Sequence, residues 1–411
     1  MQKAERNDIA LPPITGFTFI GDPGCDGLGV EIMSIFNAAC REASGDFILI
    51  GGDIVPEGTD RLYQNVINMV DSNIKTPVYM LAGNHDTMNY ETYFGKKNYF
   101  LYDASLLLIV LDNSKRAFPQ EALDLLRLAV QYERDNIVIA FHIPPPNRVT
   151  QNAVSTGEWD KIEGIISPIR EKVKYILCGH IHSYFEDDIN GIKLVASGGG
   201  GARIEEVPGV VAPYYHLVEF LLDASGNLRH FFKPITHTKA SVPPPEVFKV
   251  LKDAYAGECM AYMRYRLYAE EAVKNNKPHA AKLFSAAADS EFFHARNFFY
   301  AMAGCKPPEE AIVESIEKEY NEVNRLYPHG EDAANRHEAG LAVYAFNDAR
   351  AAEKVHLRLF NEAQKALADG SHDIPEGLYF TCVSCGYTLA GRQSKIRCPV
   401  CGAPVDKIQT V

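Results

Sequence analysis

The second half of this 411-residue chain carries two Glu-x-x-His motifs inside helical patterns, formed by Glu291 with His294 and by Glu353 with His356. Residues three apart on an α-helix lie on one face, so each pair can bind one metal ion from one side. A four-helix bundle completes a two-metal site with two such motifs and a Glu from each remaining helix. Candidates for the remaining carboxylates are Glu258, Glu319 and Glu322.

The hydropathy pattern divides the chain into three predicted domains. With 411 residues and 46% hydrophobic content, the chain is too large for one core. Alternating short apolar runs and amphipathic stretches predict an α/β domain over residues 1–240. After the prolines at 243–245, which indicate a stiff linker, four long helical stretches predict a bundle over residues 241–370. Short strands and turns around cysteines predict a small domain over residues 371–411.

The same pattern places the individual elements. The predicted strands of the first domain are residues 17–20, 47–50, 78–82, 106–111, 137–141, 175–178 and 193–196. Predicted helices between them include residues 30–43, 61–70 and 121–132. In the second domain the breaks between helices are expected near residues 275–277, 304–308 and 328–330.

Composition restricts the class of protein. The longest clear apolar run is six residues, 106–111, whereas a membrane span needs roughly 20. The first ten residues carry charges of both signs and lack the pattern of a signal peptide. Nine cysteines, four of them in two Cys-x-x-Cys pairs, favour metal thiolates in a reducing compartment, so a cytoplasmic protein is expected. The formal charge of −12 argues against nucleic-acid binding.

The helical motifs resemble rubrerythrin in order and spacing. The resemblance covers about 165 residues, and it rests on Glu258, Glu291-x-x-His294, Glu319-x-x-Glu322, Leu326-Tyr327-Pro328 and Glu353-x-x-His356. It implies a ferritin-like bundle whose non-haem di-iron centre is held by these Glu and His residues, with Glu322 and His294 exchanging as ligands when the irons change oxidation state. It also implies that Tyr265 and Tyr327 hydrogen-bond near the irons. Without the family, carboxylates and imidazoles suit iron or manganese.

The tail contains two cysteine pairs separated by twelve residues, formed by Cys382 with Cys385 and by Cys398 with Cys401. Four thiolates on two tight turns predict a tetrahedral sulfur site, and the spacing alone fits zinc as well as a single iron. Placed after a di-iron bundle, the segment resembles the rubredoxin-like module that ends rubrerythrins. The resemblance implies one iron, electron transfer to a di-iron centre that reduces hydrogen peroxide, and a homodimer. It also implies a redox donor protein or an NAD(P)H-linked reductase as the electron source.

The first domain has a second constellation of polar residues, each segment following an apolar strand. The segments are Gly21-Asp22-Pro23-Gly24, Gly52-Asp53, Gly83-Asn84-His85-Asp86, His142 and Gly179-His180-Ile181-His182. In open α/β sheets ligands bind beyond the carboxyl ends of strands, so these segments can converge on one rim. Mixed oxygen and nitrogen ligands suit two metal ions about 3.5 to 4 Å apart, an arrangement that hydrolyses phosphate esters.

This constellation resembles the calcineurin-like metallophosphoesterases. By that resemblance Asp53 bridges two metals, drawn from manganese, iron or zinc. Asn84, His142 and His180 complete one metal site, Asp22 and His182 serve the other, and His85 stabilises or protonates the departing oxygen. The family's first motif is Asp-x-His, whereas here the third position is Gly24, so the Asp22 site lacks one ligand. Cys25, Asp26 or water can fill the gap, and the sequence does not choose among them.

The leading interpretation is therefore a two-headed enzyme that joins rubrerythrin-type peroxide reduction to metal-dependent hydrolysis of a phosphate ester. One alternative makes the first domain a non-catalytic binding or sensing module, because its Asp22 site has lost a ligand. The other makes the helical half an iron-holding protein with a structural zinc tail.

Overall fold

The computed structural model describes residues 1–86, 88–208, 210, 214–235, 242–370, 373–374, 377–391 and 397–410. Backbone packing separates two compact units, Met1–Gly304 and Cys305–Val411. The predicted boundaries at residues 240 and 370 adjoin residues outside the described ranges and stay predictions. Within those ranges, no helix combines the length and the apolar character that a membrane span requires.

Two β-sheets form the centre of the first unit. The seven-stranded sheet has the order β1 (Asp8–Ala10), β5 (Tyr99–Tyr102), β6 (Leu106–Val110), β7 (Asn136–Ala140), β8 (Val173–Cys178), β10 (Ile192–Ser197) and β9 (Tyr184–Ile189). The five-stranded sheet has the order β12 (Leu228–Pro234), β11 (His216–Leu222), β2 (Gly16–Ile20), β3 (Phe47–Ile50) and β4 (Val78–Met80). All seven predicted strands are confirmed with ends within two residues, and five further strands complete the sheets.

Helices cover the outer faces of both sheets. They are α1 (Val30–Glu42), α2 (Asp60–Asn73), α3 (Tyr90–Phe94), α4 (Gln120–Ala129) and α5 (Thr156–Ile166), with 3₁₀ turns at Val130–Tyr132 and Ser167–Lys172. One cluster of buried side chains joins α1 and α2 to the five-stranded sheet, and another joins α4 and α5 to the seven-stranded sheet. A third lies between the sheets, so the α/β part is a four-layer sandwich.

Strand direction positions the loops that carry the predicted first-domain ligands. β2, β3 and β4 are parallel neighbours, and so are β6, β7 and β8. Strands buried on both faces read as continuous apolar runs, which is why these segments were recognisable in the sequence. Parallel neighbours end at the same edge of their sheet, and the polar segments follow at that edge.

A helical hairpin completes the first unit. It consists of α6 (Pro245–Lys274) and α7 (Pro278–Ala301), joined by the short break that the sequence predicted near residues 275–277. Small residues let the two helices approach closely, since the buried positions are Ala269, Ala281, Ala288 and Ala295.

The second unit contains the remaining helices and a small sheet. Its helical elements are α8 (Pro308–Asn321), a π-helical turn (Glu322–Leu326), α9 (Tyr327–Arg336) and α10 (Gly340–Ala368). The sheet has the order β14 (Thr388–Ala390), β13 (Tyr379–Cys382) and β15 (Ile408–Thr410), with a 3₁₀ turn at Val405–Lys407. These elements confirm an α/β domain, a helical region and a terminal cysteine module.

The predicted helix break at residues 328–330 is wrong. The chain stays helical through Pro328 and breaks instead after α9, at residues 337–339. The π-helical turn explains the difference, because its wider hydrogen bonding reorganises the helix immediately before the proline. Pro328 then occupies the first turn of α9, where its missing N–H costs little.

The sandwich interior gives a stability prediction. The fully buried Phe17 ring stacks on Phe47 and Phe220, with centroids 5.0 and 4.7 Å away. Phe17→Ala should destabilise the α/β part by about 3–5 kcal/mol through lost burial and a cavity. Trp159, the only tryptophan, lies buried in α5 and reports unfolding in urea by fluorescence. The control Phe231→Ala, at a half-exposed position, should cost under about 1 kcal/mol; equal midpoints for both variants would contradict the assignment.

Candidate metal centres

Three predicted ligands sit in strained backbone at the rim of the sandwich. Asp22, Asp53 and His180 follow β2, β3 and β8, each directly after a glycine, with φ angles of 50°, 48° and 68°. A positive φ is uncommon for residues other than glycine, and it persists where the surroundings fix it, as at binding sites. The strain turns these side chains inward at the sheet edge.

The buried centre of this cluster is His142, just after β7. Its Nδ1 donates to the carbonyl of Gly51 at 2.9 Å, which leaves Nε2 facing two carboxylates. Nε2 lies 3.1 Å from Asp53 Oδ2 and 3.9 Å from Asp22 Oδ1. The geometry is not that of a hydrogen bond, so among the described residues this fully buried nitrogen has no hydrogen-bond partner. A buried imidazole nitrogen aimed at two carboxylates fits a cation between them, either a proton on the nitrogen or a metal ion in its place.

The charges of the cluster are strongly coupled. Burial acts to raise the pKa of Asp53, but His142 outweighs it and lowers that pKa to about 2. Burial raises the pKa of Asp22 well above its usual range. Burial acts to lower the pKa of the His142 imidazole, yet the Asp53 and Asp22 carboxylates raise it to about 9. Without metal, a proton on His142 therefore offsets part of the buried negative charge.

Asp86 ties two of the site loops together, a role that sequence reasoning did not assign. Its fully buried carboxylate accepts from the backbone N–H of Ile54, after β3, and of Gly83, after β4. Burial and the nearby Asp53 charge raise the pKa of Asp86 to about 7. The available signal for this role was the position of Asp86 as the last residue of the Gly83-Asn84-His85-Asp86 motif.

The two histidines after β8 face different neighbours. The backbone N–H of His180 donates to both oxygens of Asp22 at 3.0 Å. His180 Nε2 lies 3.0 Å from Asn152 Oδ1 and 3.2 Å from Arg116 Nη2. His180 forms a group with Asp53 and His142 in which the possible ligand atoms lie within 4.8 Å of one another. Because Nε2–H donates to Asn152, Nδ1 is the nitrogen of His180 that can bind a metal ion in this group. Burial and His142 lower the pKa of His180 to about 3, so it is neutral.

His182, Asn84 and His85 complete the predicted set. His182 joins Asp22 and Asp53 in a second group within 4.8 Å. Asn84 Oδ1 is buried and has no hydrogen-bond partner within the described ranges. The backbone N–H of His85 donates to Asp53 Oδ1 at 2.9 Å, and its exposed ring bonds the Pro56 carbonyl through Nδ1 at 3.2 Å. Arg116 and Asn152, on loops far away in the sequence, had no motif that could reveal them.

In the helical hairpin, α6 and α7 bring together the first carboxylate–imidazole triad. His294 Nδ1 lies 2.8 Å from Glu291 Oε2 and 3.8 Å from Glu258 Oε1. Burial and a hydrogen bond to Glu291 raise the pKa of Glu258. Tyr265 lies two turns beyond Glu258 and packs on Phe284 at 6.2 Å, and no bond to the triad is found for it among the described residues.

The second unit repeats this geometry on α8 and α10. His356 Nδ1 lies 2.6 Å from Glu353 Oε2 and 3.8 Å from Glu319 Oε2. Burial and Glu353 raise the pKa of Glu319 to about 8, and its Oε2 is buried with no hydrogen-bond partner in the described part of the chain. Such a group is suited to a metal ion, which would replace the proton on Glu319.

The π-helical turn belongs to this second site. Glu322 begins the turn, and its charge contributes to the raised pKa of Glu319. Burial and the Glu322 carboxylate likewise raise the pKa of Tyr327, so the tyrosine lies near the acidic cluster. Arg350 Nε donates to the carbonyl of Val323 at 2.9 Å and supports the widened turn. Single π turns in α-helices occur frequently at functional sites.

Four cysteines form a sulfur cluster in the terminal module. Sγ of Cys382 lies 3.7 Å from that of Cys401, and Cys385 and Cys398 are separated by the same distance. A tetrahedral metal with bonds of about 2.3 Å needs sulfur atoms about 3.8 Å apart, so the cluster fits one ion. Backbone N–H groups of Ser384 and Cys385 outweigh burial and lower the pKa of Cys382 to about 7.

A hydroxyl links the cysteine module to the second triad. Thr388, three residues after Cys385, lies 2.8 Å from His356 Nε2 through its Oγ1. With a metal ion bound at Nδ1, Nε2 would carry the proton and donate to Thr388 Oγ1. Sequence reasoning had no signal for this residue, because nothing in the spacing of the cysteines singles out the following threonine.

Comparison with known proteins identifies the helical part. The rubrerythrin family model matches residues 249–364. Rubrerythrin-2 of Clostridium acetobutylicum is 34% identical over 173 residues, which span 39% of this chain and 93% of that protein. The chain belongs to the rubrerythrin family. Nigerythrin of Nitratidesulfovibrio vulgaris is 28% identical over 171 residues, 38% of this chain and 82% of its own length.

The first part of this rubrerythrin-family chain is a phosphoesterase domain. The calcineurin-like phosphoesterase model matches residues 16–184. The 3',5'-cyclic adenosine monophosphate phosphodiesterase CpdA of Haemophilus influenzae is 28% identical over 214 residues, 47% of this chain and 77% of that protein. The predicted fusion of a phosphoesterase with a rubrerythrin is therefore confirmed. The rubrerythrin family implies a di-iron centre and a rubredoxin-type iron site.

The charge state of His142 gives a pH prediction. Because its pKa of about 9 lies above the ordinary 6.5, the stability that its proton gives the metal-free fold is complete below pH 6.5 and is lost as pH rises through about 9. A cation at Nε2 must displace that proton, so Mn²⁺ affinity should rise with pH across this window.

Calorimetric titration in buffers of different ionisation enthalpy counts the protons released when Mn²⁺ binds to the first domain. His142→Ala should release fewer protons and bind more weakly. His279→Gln, at an exposed position of α7, should match the unaltered chain. Affinity independent of pH between 6.5 and about 9 would contradict the proton–metal exchange.

Proposed function

We propose that this chain is a cytoplasmic two-headed metalloenzyme: a rubrerythrin-type peroxide reductase fused to a dinuclear metal-dependent phosphoesterase. The observation that carries the proposal is the separation of the ligand sets. One set of Asp, Asn and His residues converges at the sandwich rim, and the carboxylate-rich triads and the four cysteines lie elsewhere along the chain. Each set matches the donor chemistry of one predicted cofactor.

In the phosphoesterase, Asp53 is the natural bridging ligand. Its two oxygens face different partners: Oδ2 lies 3.1 Å from His142, and Oδ1 accepts from the His85 backbone. Asn84 and His180 would complete one ion's ligands, and Asp22 and His182 would hold the other. When bound, the two ions would supply Lewis acidity to the phosphoryl group and hydroxide for its hydrolysis.

Two side chains are placed to handle the substrate itself. With Nδ1–H of His85 bonded to the Pro56 carbonyl, Nε2 is the nitrogen that can face the substrate, and in the imidazolium form it would give its proton to the departing oxygen and leave neutral His85. Arg116, whose Nη2 donates to Asn152 Oδ1 at 2.6 Å, places a permanent positive charge at the rim where a phosphate would bind. The CpdA relative acts on cyclic AMP by its name, so a cyclic or linear phosphodiester is the first substrate class to test.

The hydrolase proposal predicts a loss of activity on Asp53→Ala. The full chain with Mn²⁺, iron or zinc should cleave cyclic AMP or bis(p-nitrophenyl) phosphate. Asp53→Ala should lower that rate by about two to three orders of magnitude, because both ions lose a shared ligand. Asp124→Ala, an exposed carboxylate on α4, is the matched control and should stay active. Absence of hydrolysis with all three metals would instead support a binding or sensing module.

In the rubrerythrin half, the two triads with Glu322 would hold the di-iron centre. Glu258, Glu319 and the two Glu-x-x-His pairs supply carboxylates and Nδ1 atoms, and the four cysteines would hold one iron. When bound, the sulfur-held iron would supply single electrons and the di-iron centre would reduce hydrogen peroxide. Electrons would come from a redox donor protein or an NAD(P)H-linked reductase, and the family resemblance favours a homodimer.

Thr388 supports a short connection between the cysteine module and the second triad. The chain runs from Cys385 through two residues to Thr388, whose hydroxyl is hydrogen-bonded to His356 Nε2 at 2.8 Å. This bond fixes the His356 ring with Nδ1 toward Glu353 and Glu319. Thr388 is therefore a positioning residue on the electron path that the proposal requires.

Replacement of Thr388 tests this connection. In protein with the red ferric–thiolate absorption of a rubredoxin-type site, Thr388→Val should slow peroxide-driven reoxidation of the sulfur-bound iron by about tenfold. Thr388→Ser keeps the hydroxyl and should react like the unaltered chain. Stopped-flow absorption at the iron–sulfur band is the measurement. Equal rates for Val and Ser, or colourless protein with zinc in the tail, would contradict the path.

A further inference from the structure

The loop after β2 cannot carry the histidine that the phosphoesterase family places at position 24. A Cβ atom on Gly24 would lie 2.3 Å from the Ile54 carbonyl oxygen and 2.7 Å from Leu28 Cδ2. The Gly24 N–H also donates to the Asp53 carbonyl at 3.1 Å, which holds the two loops together. A side chain there would force the backbone apart, so any replacement ligand must come from another position.

The next residue points at the site instead. Cys25 is 8% exposed, and its Sγ lies 3.1 Å from His182 Nε2. Asp22 Oδ1 lies 3.8 Å from the same nitrogen. The other ring nitrogen, Nδ1, faces Asp26 at 4.0 Å and Glu205 at 3.8 Å. The negative charges of Asp26 and Glu205 favour the proton on Nδ1, which leaves Nε2 as the ligating atom on the side that Cys25 and Asp22 share.

A second observation indicates that a cation belongs here. Asp22 is fully buried, and the Nε2 of His142, 3.9 Å from it, is fully buried without a hydrogen-bond partner among the described residues. Buried polar atoms of this kind need a partner, and this nitrogen points into the same cluster of carboxylates. Cys25 therefore stands at the edge of a buried group of carboxylates and imidazoles whose chemistry suits a cation.

We propose that the Cys25 thiolate is a metal ligand of the phosphoesterase site, acting with Asp22 and His182 in place of the imidazole that position 24 excludes. The assignment rests on the proposed hydrolase function and adds a ligand to it. A sulfur, nitrogen and carboxylate set favours zinc or iron over magnesium or calcium.

A thiolate ligand makes the site sensitive to hydrogen peroxide. The sulfur lone pair attacks one peroxide oxygen, the O–O bond breaks, and the second oxygen leaves as hydroxide and becomes water on protonation. Sulfur is oxidised by two electrons to a sulfenate and peroxide is reduced. The peroxide is the substrate that the rubrerythrin half removes.

Cobalt titration of the full-length chain tests the ligand directly. With iron retained in the cysteine module, Co²⁺ bound by Cys25 should give a near-ultraviolet sulfur-to-cobalt charge-transfer band. The carboxylate–imidazole triads contain no sulfur and cannot produce it. Cys25→Ser should abolish the band and weaken cobalt binding at one site by about tenfold or more. The matched control Cys259→Ser, on α6, should retain both.

A second readout does not depend on the spectrum. Bound Zn²⁺ should slow alkylation of Cys25 by iodoacetamide by about tenfold or more, measured by peptide mass spectrometry, and Asp22→Asn should remove that protection. If Cys25→Ser and the unaltered chain bind equal numbers of cobalt ions with equal affinity and superimposable spectra, the Cys25 assignment fails alone. If Asp53→Ala binds as much cobalt as the unaltered chain, the first domain has no metal site that depends on Asp53. The hydrolase proposal then fails together with the Cys25 assignment.

Discussion

Burial of negative charge at the rim of the sandwich is the constraint on which the first domain depends. Asp22, Asp53 and Asp86 are at most 2% exposed, and like charges this close are costly unless cations or protons compensate them. Backbone N–H groups from three different loops donate to these carboxylates, so the same atoms that would hold metal also hold the loops together. The positive φ angles at Asp22 and Asp53 are a cost that this bonding offsets. The residues that would bind metal are therefore the same residues that fix the geometry of the loops.

The helical half also brings carboxylates close together, but it does so by residue spacing on helices. Each triad places one imidazole against two carboxylates, with Nδ1 at 3.8 Å from the Glu of the first helix in both. Burial and a neighbouring Glu raise the pKa of both Glu258 and Glu319, and a cation among these carboxylates would relieve that repulsion. In each Glu-x-x-His motif the Glu and the His lie on one helix face because residues i and i+3 share a face, so the spacing in the sequence is sufficient to bring them together. A sheet rim instead needs separate loops to meet, which is why the first site uses strained backbone and the second does not.

Sequence reasoning succeeded where a residue's role follows from local periodicity. The doubly buried strands such as β3 and β7 are continuous apolar runs, and the Glu-x-x-His motifs lie where helical spacing predicts. Strands such as β9 and β12 alternate buried with exposed positions or lie at sheet edges, and their short polar-rich segments gave no clear signal. The break expected at Pro328 moved because a π-helical turn depends on packing and metal-site geometry. Arg116 and Thr388 act through tertiary contacts, which no single sequence can reveal.

The fusion itself has a physical rationale if Cys25 is a ligand. Peroxide diffuses away from one protein molecule far faster than enzymes turn over, so a covalently attached reductase does not shield its own partner domain. Fusion instead fixes the ratio of the two activities at one to one. A hydrolase with only oxygen and imidazole ligands would gain little from that ratio, because its ligands resist oxidation. A thiolate at the metal is a two-electron reductant held at a catalytic site, and its lifetime is set by the peroxide concentration around it. If the helical half reduces peroxide as proposed, a chain that carries both domains would supply peroxide-reducing capacity in proportion to the oxidisable sites it introduces.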